Sequence, residues 1–119
     1  MARVDAGVSI CIMGTERAAD SVALEFARLA RERLGDRIRS IILFGSRARG
    51  DAREHSDYDV VVVVDRRTPE VRAILSDITV EILDRQGALV ACLLRDEREW
   101  SATRGYPLGM NVAREGIAL

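Results

Sequence analysis

A Gly-Ser pair and an Asp-x-Asp triplet lie ten residues apart in this chain, and each is joined to an apolar segment. The first segment, Ile41–Phe44, runs into Gly45 and Ser46, and the second opens with Asp57-Tyr58-Asp59 and continues through five valines. β-Branched and aromatic residues favour strands, so this pattern predicts two strands with a short connection. Side chains two positions apart share one face of a strand, which places Asp57 and Asp59 side by side, about 7 Å apart along the backbone.

The paired carboxylates and the Gly-Ser pair together predict a site for a metal-bound phosphate. Adjacent carboxylates repel each other unless a cation lies between them, and Mg²⁺ is held by one or two carboxylates with water and phosphate oxygens. Gly45 lets the backbone approach a ligand closely. Ser46 offers a hydroxyl and a backbone N–H where a helix would begin, and helix N-termini attract anions. We expect Asp57 and Asp59 to hold the metal and Gly45 and Ser46 to hold the phosphates.

Basic side chains at such a site must be arginines, because all 18 basic residues are arginine. Arg47 and Arg49 follow the Gly-Ser pair and are candidates for contact with a triphosphate, the alternative being solvated surface charges. His55, the only histidine, and its neighbours Asp51 and Glu54 are interpreted as exposed loop residues.

Composition narrows the class of protein. A length of 119 residues predicts a single domain over 15–119 after a loose lead-in over 1–14. The net charge of −1 argues against a chain that grips nucleic acid by itself. No apolar run is long enough to cross a membrane, and no signal peptide is recognisable. The two cysteines, Cys11 and Cys92, suggest no disulfide framework and favour a reducing cytoplasm.

Hydrophobic periodicity predicts an α/β fold, with a small mixed sheet flanked by helices. Apolar residues on both faces of the second strand indicate a central strand, with Tyr58 pointing away from the acids into the core. Cys92 and Trp100 are interpreted as packing residues. The expected strands are 37–44, 57–65 and 88–94, and the expected helices are 16–34 capped by Thr15, 70–85, a short one capped by Asp96 with Glu99, and 107–114.

The arrangement resembles the DNA polymerase β-like nucleotidyltransferase superfamily, and within it the minimal nucleotidyltransferase (MNT) branch. That branch has the signature Gly-Ser, ten residues, Asp-x-Asp, which Gly45, Ser46, Asp57 and Asp59 match without a gap. The resemblance covers residues 16–117, nearly the whole chain. Each half of the signature is weak alone, but both at this spacing and beside apolar strands make a specific signal.

The resemblance implies the pared-down catalytic core of that superfamily, with Mg²⁺ as cofactor and ATP or another nucleoside triphosphate as substrate. It implies transfer of AMP from Mg²⁺–ATP to a hydroxyl on a partner protein, with pyrophosphate leaving. Minimal nucleotidyltransferases are typically paired with a helical HEPN protein, often as antitoxin to a HEPN ribonuclease toxin, and we expect such a partner here.

The chain departs from the superfamily at one position. Active members carry a third carboxylate on the next strand, which should stand near Ala91, yet no acid occurs between Asp84 and Asp96. Glu81, Asp84, Asp96 or a group of the partner could replace it; otherwise the metal site is incomplete. Two functions therefore stay open: a nucleotidyltransferase, or a catalytically impaired module that binds nucleotide or partner and neutralises a HEPN protein by complex formation.

Overall fold

The computed structural model describes residues 21–49 and 57–119. The predicted lead-in over 1–14, the helix cap at Thr15 and the residues Cys11, Asp51, Glu54 and His55 lie outside them.

Four strands form one mixed sheet in the order β3-β2-β1-β4. Strand β1 is antiparallel to both β2 and β4, whereas β2 and β3 are parallel. This confirms the predicted α/β class and the central place of β2. Strand β4 was not expected, because two residues are too few to display an alternating pattern. The strands are β1 (Ile38–Phe44), β2 (Tyr58–Val64), β3 (Val90–Asp96) and β4 (Ile117–Ala118).

The helices agree with the predicted ones, apart from a few residues at their ends. Thr68 caps α3 by accepting a hydrogen bond from the Val71 backbone N–H, Pro69 occupies the first turn, and Gly87 ends the helix with a φ of 66°. The helices are α1 (described from Ser21, Ser21–Leu34), α2 (Ser46–Arg49), α3 (Pro69–Gln86), α4 (Glu97–Thr103) and α5 (Pro107–Glu115), and a 3₁₀ turn (Gly35–Arg37) precedes β1. None of the described helices is long and apolar enough to cross a membrane.

Strand β3 begins and ends two residues later than the pattern predicted. The left-handed conformation of Gly87 ends α3, and the chain needs two more residues to return to the sheet. The second of these, Leu89, already accepts a hydrogen bond from the Tyr58 backbone N–H. At the other end, Asp96 closes β3 and also caps α4, where it forms the predicted capping box with Glu99.

The sheet is covered by helices on both faces. The larger core packs α1 and α3 against one face of β2, where Tyr58, Val60, Val62 and Val64 are buried. The smaller cluster lies on the other face, where Val61 and Val63 pack beneath side chains of α4 and α5. By strand alternation Asp59 belongs to this second face. The carboxylate therefore lies on the α4–α5 side of the sheet, at the end of β2 that the cluster leaves partly open.

Candidate functional site

The two halves of the sequence motif meet where β1 ends and β2 begins. Phe44 lies directly opposite Asp59 in the antiparallel register, so the next residue, Gly45, comes against the carboxylate. A Cβ placed on Gly45 would lie 2.5 Å from Oδ2 of Asp59, a distance that real Cβ atoms do not reach. Gly45 also has a φ of 78°, in the left-handed region where side chains are strained. Only glycine at position 45 allows Asp59 its observed place.

A single helical turn follows the glycine, as the sequence predicted. Helix α2 begins at Ser46, and the backbone N–H groups of Ala48 and Arg49 both donate to the carbonyl oxygen of Gly45, at 3.1 and 3.0 Å. Ala48 is buried and fixes this turn against the core. The Gly-Ser turn is thus held between β1 and a packed helical turn, next to the Asp59 carboxylate.

The electrostatics of Asp59 match those expected for a cation ligand. The pKa of this carboxyl is raised above its ordinary value, first because it is partly buried and then because Asp57 carries a like charge nearby; Arg49 opposes the shift. Asp57 is exposed and immediately precedes β2. A partly buried carboxylate with a second carboxylate nearby fits Mg²⁺, which accepts two protein carboxylates and leaves its other positions to water and phosphate oxygens.

The two arginine side chains of α2 contact different residues. The guanidinium of Arg47 lies over the ring of Tyr58, 4.2 Å from its centroid, and Tyr58 is buried in the core on the face opposite Asp59. Arg49 extends to Glu115 at the end of α5, with 3.0 Å between Nη1 and Oε1. The positive charge of Arg49 also opposes the rise in the pKa of Asp59. A contact of Arg47 or Arg49 with nucleotide stays a prediction.

The residue of β3 next to Asp59 is an alanine, and a third carboxylate at this position stays an expectation from the family resemblance. Ala91 lies directly beside Asp59 in the parallel register between β2 and β3. Paired residues of parallel strands share a face, so the Ala91 side chain points to the same side of the sheet as the Asp59 carboxylate. Ala91 is exposed, which leaves space at that point.

The three acids considered as replacements are elsewhere. Glu81 pairs with Arg33, at 2.6 Å, and belongs to α3, which packs on the opposite face of the sheet. Asp84 is exposed on the same helix. Asp96 caps α4 at the far end of β3, five residues and about 17 Å along the strand from Ala91. Within 21–49 and 57–119, no three His, Cys, Asp or Glu side chains gather closely enough to share one metal ion.

Trp100 and Cys92 behave as the packing residues that the sequence suggested. Trp100 packs against the cluster around Val61 and Val63, and its exposed part lines an open cavity of about 560 Å³ on the α4–α5 side of the sheet. Cys92 packs against the larger core, and burial raises the pKa of its thiol to about 12. A thiol held protonated in this way is a poor nucleophile.

Glu115 is the residue of this region that sequence reasoning missed. It stands 66 positions from Arg49 in the chain, and the motif pattern gives no signal for their contact. The only hint was its place in the terminal segment Asn111–Ile117 covered by the family resemblance.

An α/β core with a mixed sheet and a carboxylate packed on a Gly-Ser turn defines the class of a nucleotidyltransferase. The profile of the family described as "Nucleotidyltransferase domain" matches residues 25–102, and the chain belongs to this family.

Two curated relatives come from Methanocaldococcus jannaschii, and both are named as candidate protein adenylyltransferases. The first is 34% identical over 96 residues, which is 78% of this chain and 65% of the relative, so the match spans just under two thirds of that protein. The second is 32% identical over 95 residues, 80% of this chain and 91% of the relative.

Solved structures with the same fold include toxin-antitoxin complexes. A toxin-antitoxin crystal structure with AMP-PNP matches with a TM-score of 0.57 at 19% identity, covering 81% of this chain and 70% of that one. A mutant of the MntA-HpeT toxin-antitoxin matches with a TM-score of 0.56 at 17% identity and the same coverage. At these identities the likeness concerns the fold, and it confirms the minimal nucleotidyltransferase core.

Proposed function

We propose that this chain binds Mg²⁺–ATP and transfers AMP to a hydroxyl group of a helical HEPN-type partner protein, as the antitoxin of a toxin-antitoxin pair. The observation that carries the proposal is the contact between Gly45 and the Asp59 carboxylate, which joins the phosphate-binding and metal-binding halves of the motif. The names of the two curated relatives support the protein acceptor. The toxin-antitoxin neighbours support the partner and, through AMP-PNP, the adenine nucleotide.

Each residue has a defined part in the proposed reaction. Asp57 and Asp59 would hold Mg²⁺, which neutralises phosphate charge and orients the triphosphate when it is bound. The backbone of Gly45 and the hydroxyl and N–H of Ser46 hold the phosphates, and Arg49 adds a cation. The acceptor oxygen attacks the α-phosphorus, the bond from that phosphorus to pyrophosphate breaks, and the hydroxyl proton passes to solvent or to a group of the partner.

A second function is favoured by one specific observation: the residue that pairs with Asp59 on β3, where the family resemblance implies a third carboxylate, is Ala91. Transfer of this kind depends on positioning and on metal electrostatics, so one missing ligand should slow it strongly. Binding of Mg²⁺–nucleotide depends less on that ligand. The alternative is therefore a module that binds nucleotide and neutralises the HEPN partner by complex formation alone.

Calorimetry with Mg²⁺–ATP tests the site that both functions share. The double variant Asp57→Asn, Asp59→Asn should lose Mg²⁺-dependent ATP binding while keeping its circular dichroism spectrum. Asp84→Asn, an exposed acid on the other side of the sheet, is the matched control and should bind as the wild type does. Unchanged affinity in the double variant would refute the assignment of the metal site.

The compartment that we propose is the reducing cytoplasm. Cys92 is a free thiol, and the proposed substrate, ATP, is an intracellular metabolite.

A further inference from the structure

Glu115, the last residue of α5, forms an ion pair with Arg49 of the candidate site, with 3.0 Å between the two side chains. Arg49 leaves the single turn of α2, whose backbone is fixed by two hydrogen bonds to the Gly45 carbonyl. Its side chain is 45% exposed, and a long exposed arginine loses rotamer entropy when a ligand orders it. A protein group that orders it beforehand lowers this cost of binding.

Glu115 orders Arg49 in this way. Ion pairs that are open to solvent contribute little to stability. The Glu115 side chain is only 18% exposed, and the other paired acids of the described residues are at least 29% exposed. A shielded carboxylate in contact with a guanidinium forms a stronger, charge-assisted hydrogen bond than a solvated one.

The backbone on which Glu115 stands is itself tied to the strand that leads into the site. Gly116 donates its N–H to Val112, at 2.7 Å, and packs so closely on Ile42 of β1 that a Cβ would lie 2.6 Å from Cγ2 of Ile42. The next two residues form β4, which pairs with β1. Since β1 runs directly into Gly45, Glu115 and the Gly-Ser turn are held by one rigid unit.

Arg49 closes the helical turn that begins at Ser46, and its backbone N–H donates to the Gly45 carbonyl oxygen at 3.0 Å, so its side chain starts beside the Gly-Ser turn. A guanidinium recognises phosphate through two parallel hydrogen bonds, and that fit requires a defined direction of approach.

From this geometry we propose that Glu115 is a positioning residue, which aims the Arg49 guanidinium at the triphosphate without touching the nucleotide itself. This inference rests on the proposed nucleotide site.

The experiment is a double-mutant cycle read out by calorimetry, with Mg²⁺–ATP and with Mg²⁺–tripolyphosphate as probes. Glu115→Gln keeps the shape of the side chain and removes its charge, so affinity for both probes should fall about tenfold through lost preorganisation. Arg49→Gln should fall at least as far. Adding Glu115→Gln to Arg49→Gln should have no further effect, because the glutamate acts only through the arginine.

The matched control is Glu81→Gln, which breaks a similar Arg–Glu pair between α1 and α3 on the opposite face. Both glutamine variants should lose similar, small amounts of thermal stability, but only Glu115→Gln should lose affinity. The positioning role of Glu115 would be refuted if Glu115→Gln kept the wild-type affinity for both probes. It would also be refuted if Glu115→Gln lowered affinity as much in the Arg49→Gln variant as in the wild type. Either result would leave the nucleotide site itself standing. A wild-type chain that binds neither probe would overturn the nucleotide site, and the inference with it.

Discussion

At the scale of single residues, the position of the Asp59 carboxylate depends on the lack of a Cβ atom at Gly45. The carboxylate occupies the space that a side chain at position 45 would fill, and the positive φ of Gly45 excludes most residues independently. Burial and the neighbouring Asp57 make the Asp59 charge unfavourable until a cation arrives. Both features can be tested with conservative substitutions.

Gly45→Ala should weaken Mg²⁺–ATP binding at least tenfold, about 1.4 kcal/mol, because the new methyl group displaces the Asp59 carboxylate. An alanine in the left-handed conformation of position 45 should also reduce the free energy of unfolding by about 1–2 kcal/mol. Gly87→Ala is the control, since Gly87 has a similar φ of 66° and nothing near its missing Cβ. It should lose stability and keep its affinity in calorimetry. Equal nucleotide affinity in both variants would contradict the packing of Asp59 on Gly45.

Asp59→Asn should stabilise the metal-free protein in a pH-dependent way. The folded chain binds a proton at Asp59 more tightly than the unfolded chain does, so Asp59 lowers stability progressively as the pH rises from 3.8 through its raised pKa. In EDTA at pH 7 the variant should therefore melt at a higher temperature than the wild type. The difference should shrink as the pH is lowered toward 3.8.

The control for that titration is Asp84→Asn, which removes an exposed acid from α3. Its melting temperature should follow the wild type across the same pH range. A lower melting temperature for Asp59→Asn at pH 7 would mean that the Asp59 charge stabilises the metal-free fold.

At the scale of elements, the parallel pairing of β2 and β3 decides which residue of β3 lies beside Asp59. Ala91 pairs with Asp59, and the alternation of β3 sends Cys92 to the opposite face. The capping residue Asp96 closes the same strand at its other end. The strand register thus places Ala91 beside Asp59, whereas Asp96 lies at the other end of β3 and caps α4.

Ala91→Asp should place a carboxylate beside the metal-binding pair. Without metal the variant should melt at a lower temperature than the wild type, because three clustered acids resist ionisation together. Mg²⁺ should recover part of that loss by binding the native state. Transferase activity should stay equal or rise, since a ligand and a possible proton acceptor have been supplied.

Cys92→Asp is the matched control on the same strand. Its carboxylate would enter the side packed against α3, so it should destabilise the protein whether or not Mg²⁺ is present. If Mg²⁺ fails to stabilise Ala91→Asp more than the wild type, the position beside Asp59 is not part of a metal site.

Asp96→Ala should cost about 1 kcal/mol of stability, the usual effect of losing an N-cap. The Asp96 carboxylate accepts the Glu99 backbone N–H at 2.8 Å, and the variant leaves that donor without its cap. Urea unfolding measures the loss. Affinity for Mg²⁺–ATP should be unchanged. A large drop in affinity would indicate that Asp96 is a metal ligand.

Local patterns predicted the elements that carry their own signals. The Gly87 end of α3, the Asp96–Glu99 capping box and the two-faced apolar strand β2 are all encoded within a few neighbouring residues. The Thr68 cap was not predicted, and it starts α3 at Pro69, one residue before the predicted start. Strand β4 and the Arg49–Glu115 contact could not be predicted from patterns. A two-residue strand has no period, and a contact between residues 49 and 115 depends on how α5 packs on β1, which is a property of the assembled fold.

At the scale of the whole molecule, the chain is a nucleotidyltransferase domain whose proposed acceptor lies on another protein. Its sheet holds Gly45, Ser46, Asp57 and Asp59 at one end, and α4 and α5 pack on the face to which Asp59 belongs. Whether such a partner is modified or only bound depends on how much catalysis survives with alanine at position 91.

The decisive measurement is incubation of the chain with ATP labelled at the α-phosphate, Mg²⁺ and the purified product of the neighbouring gene, as the candidate HEPN partner. With the wild-type chain we expect label on hydroxyl-bearing side chains of the partner. With the double variant Asp57→Asn, Asp59→Asn we expect no label. A partner that binds the chain tightly but gains no label would contradict the enzyme and favour the binding module, and labelling that persists in the double variant would contradict the site.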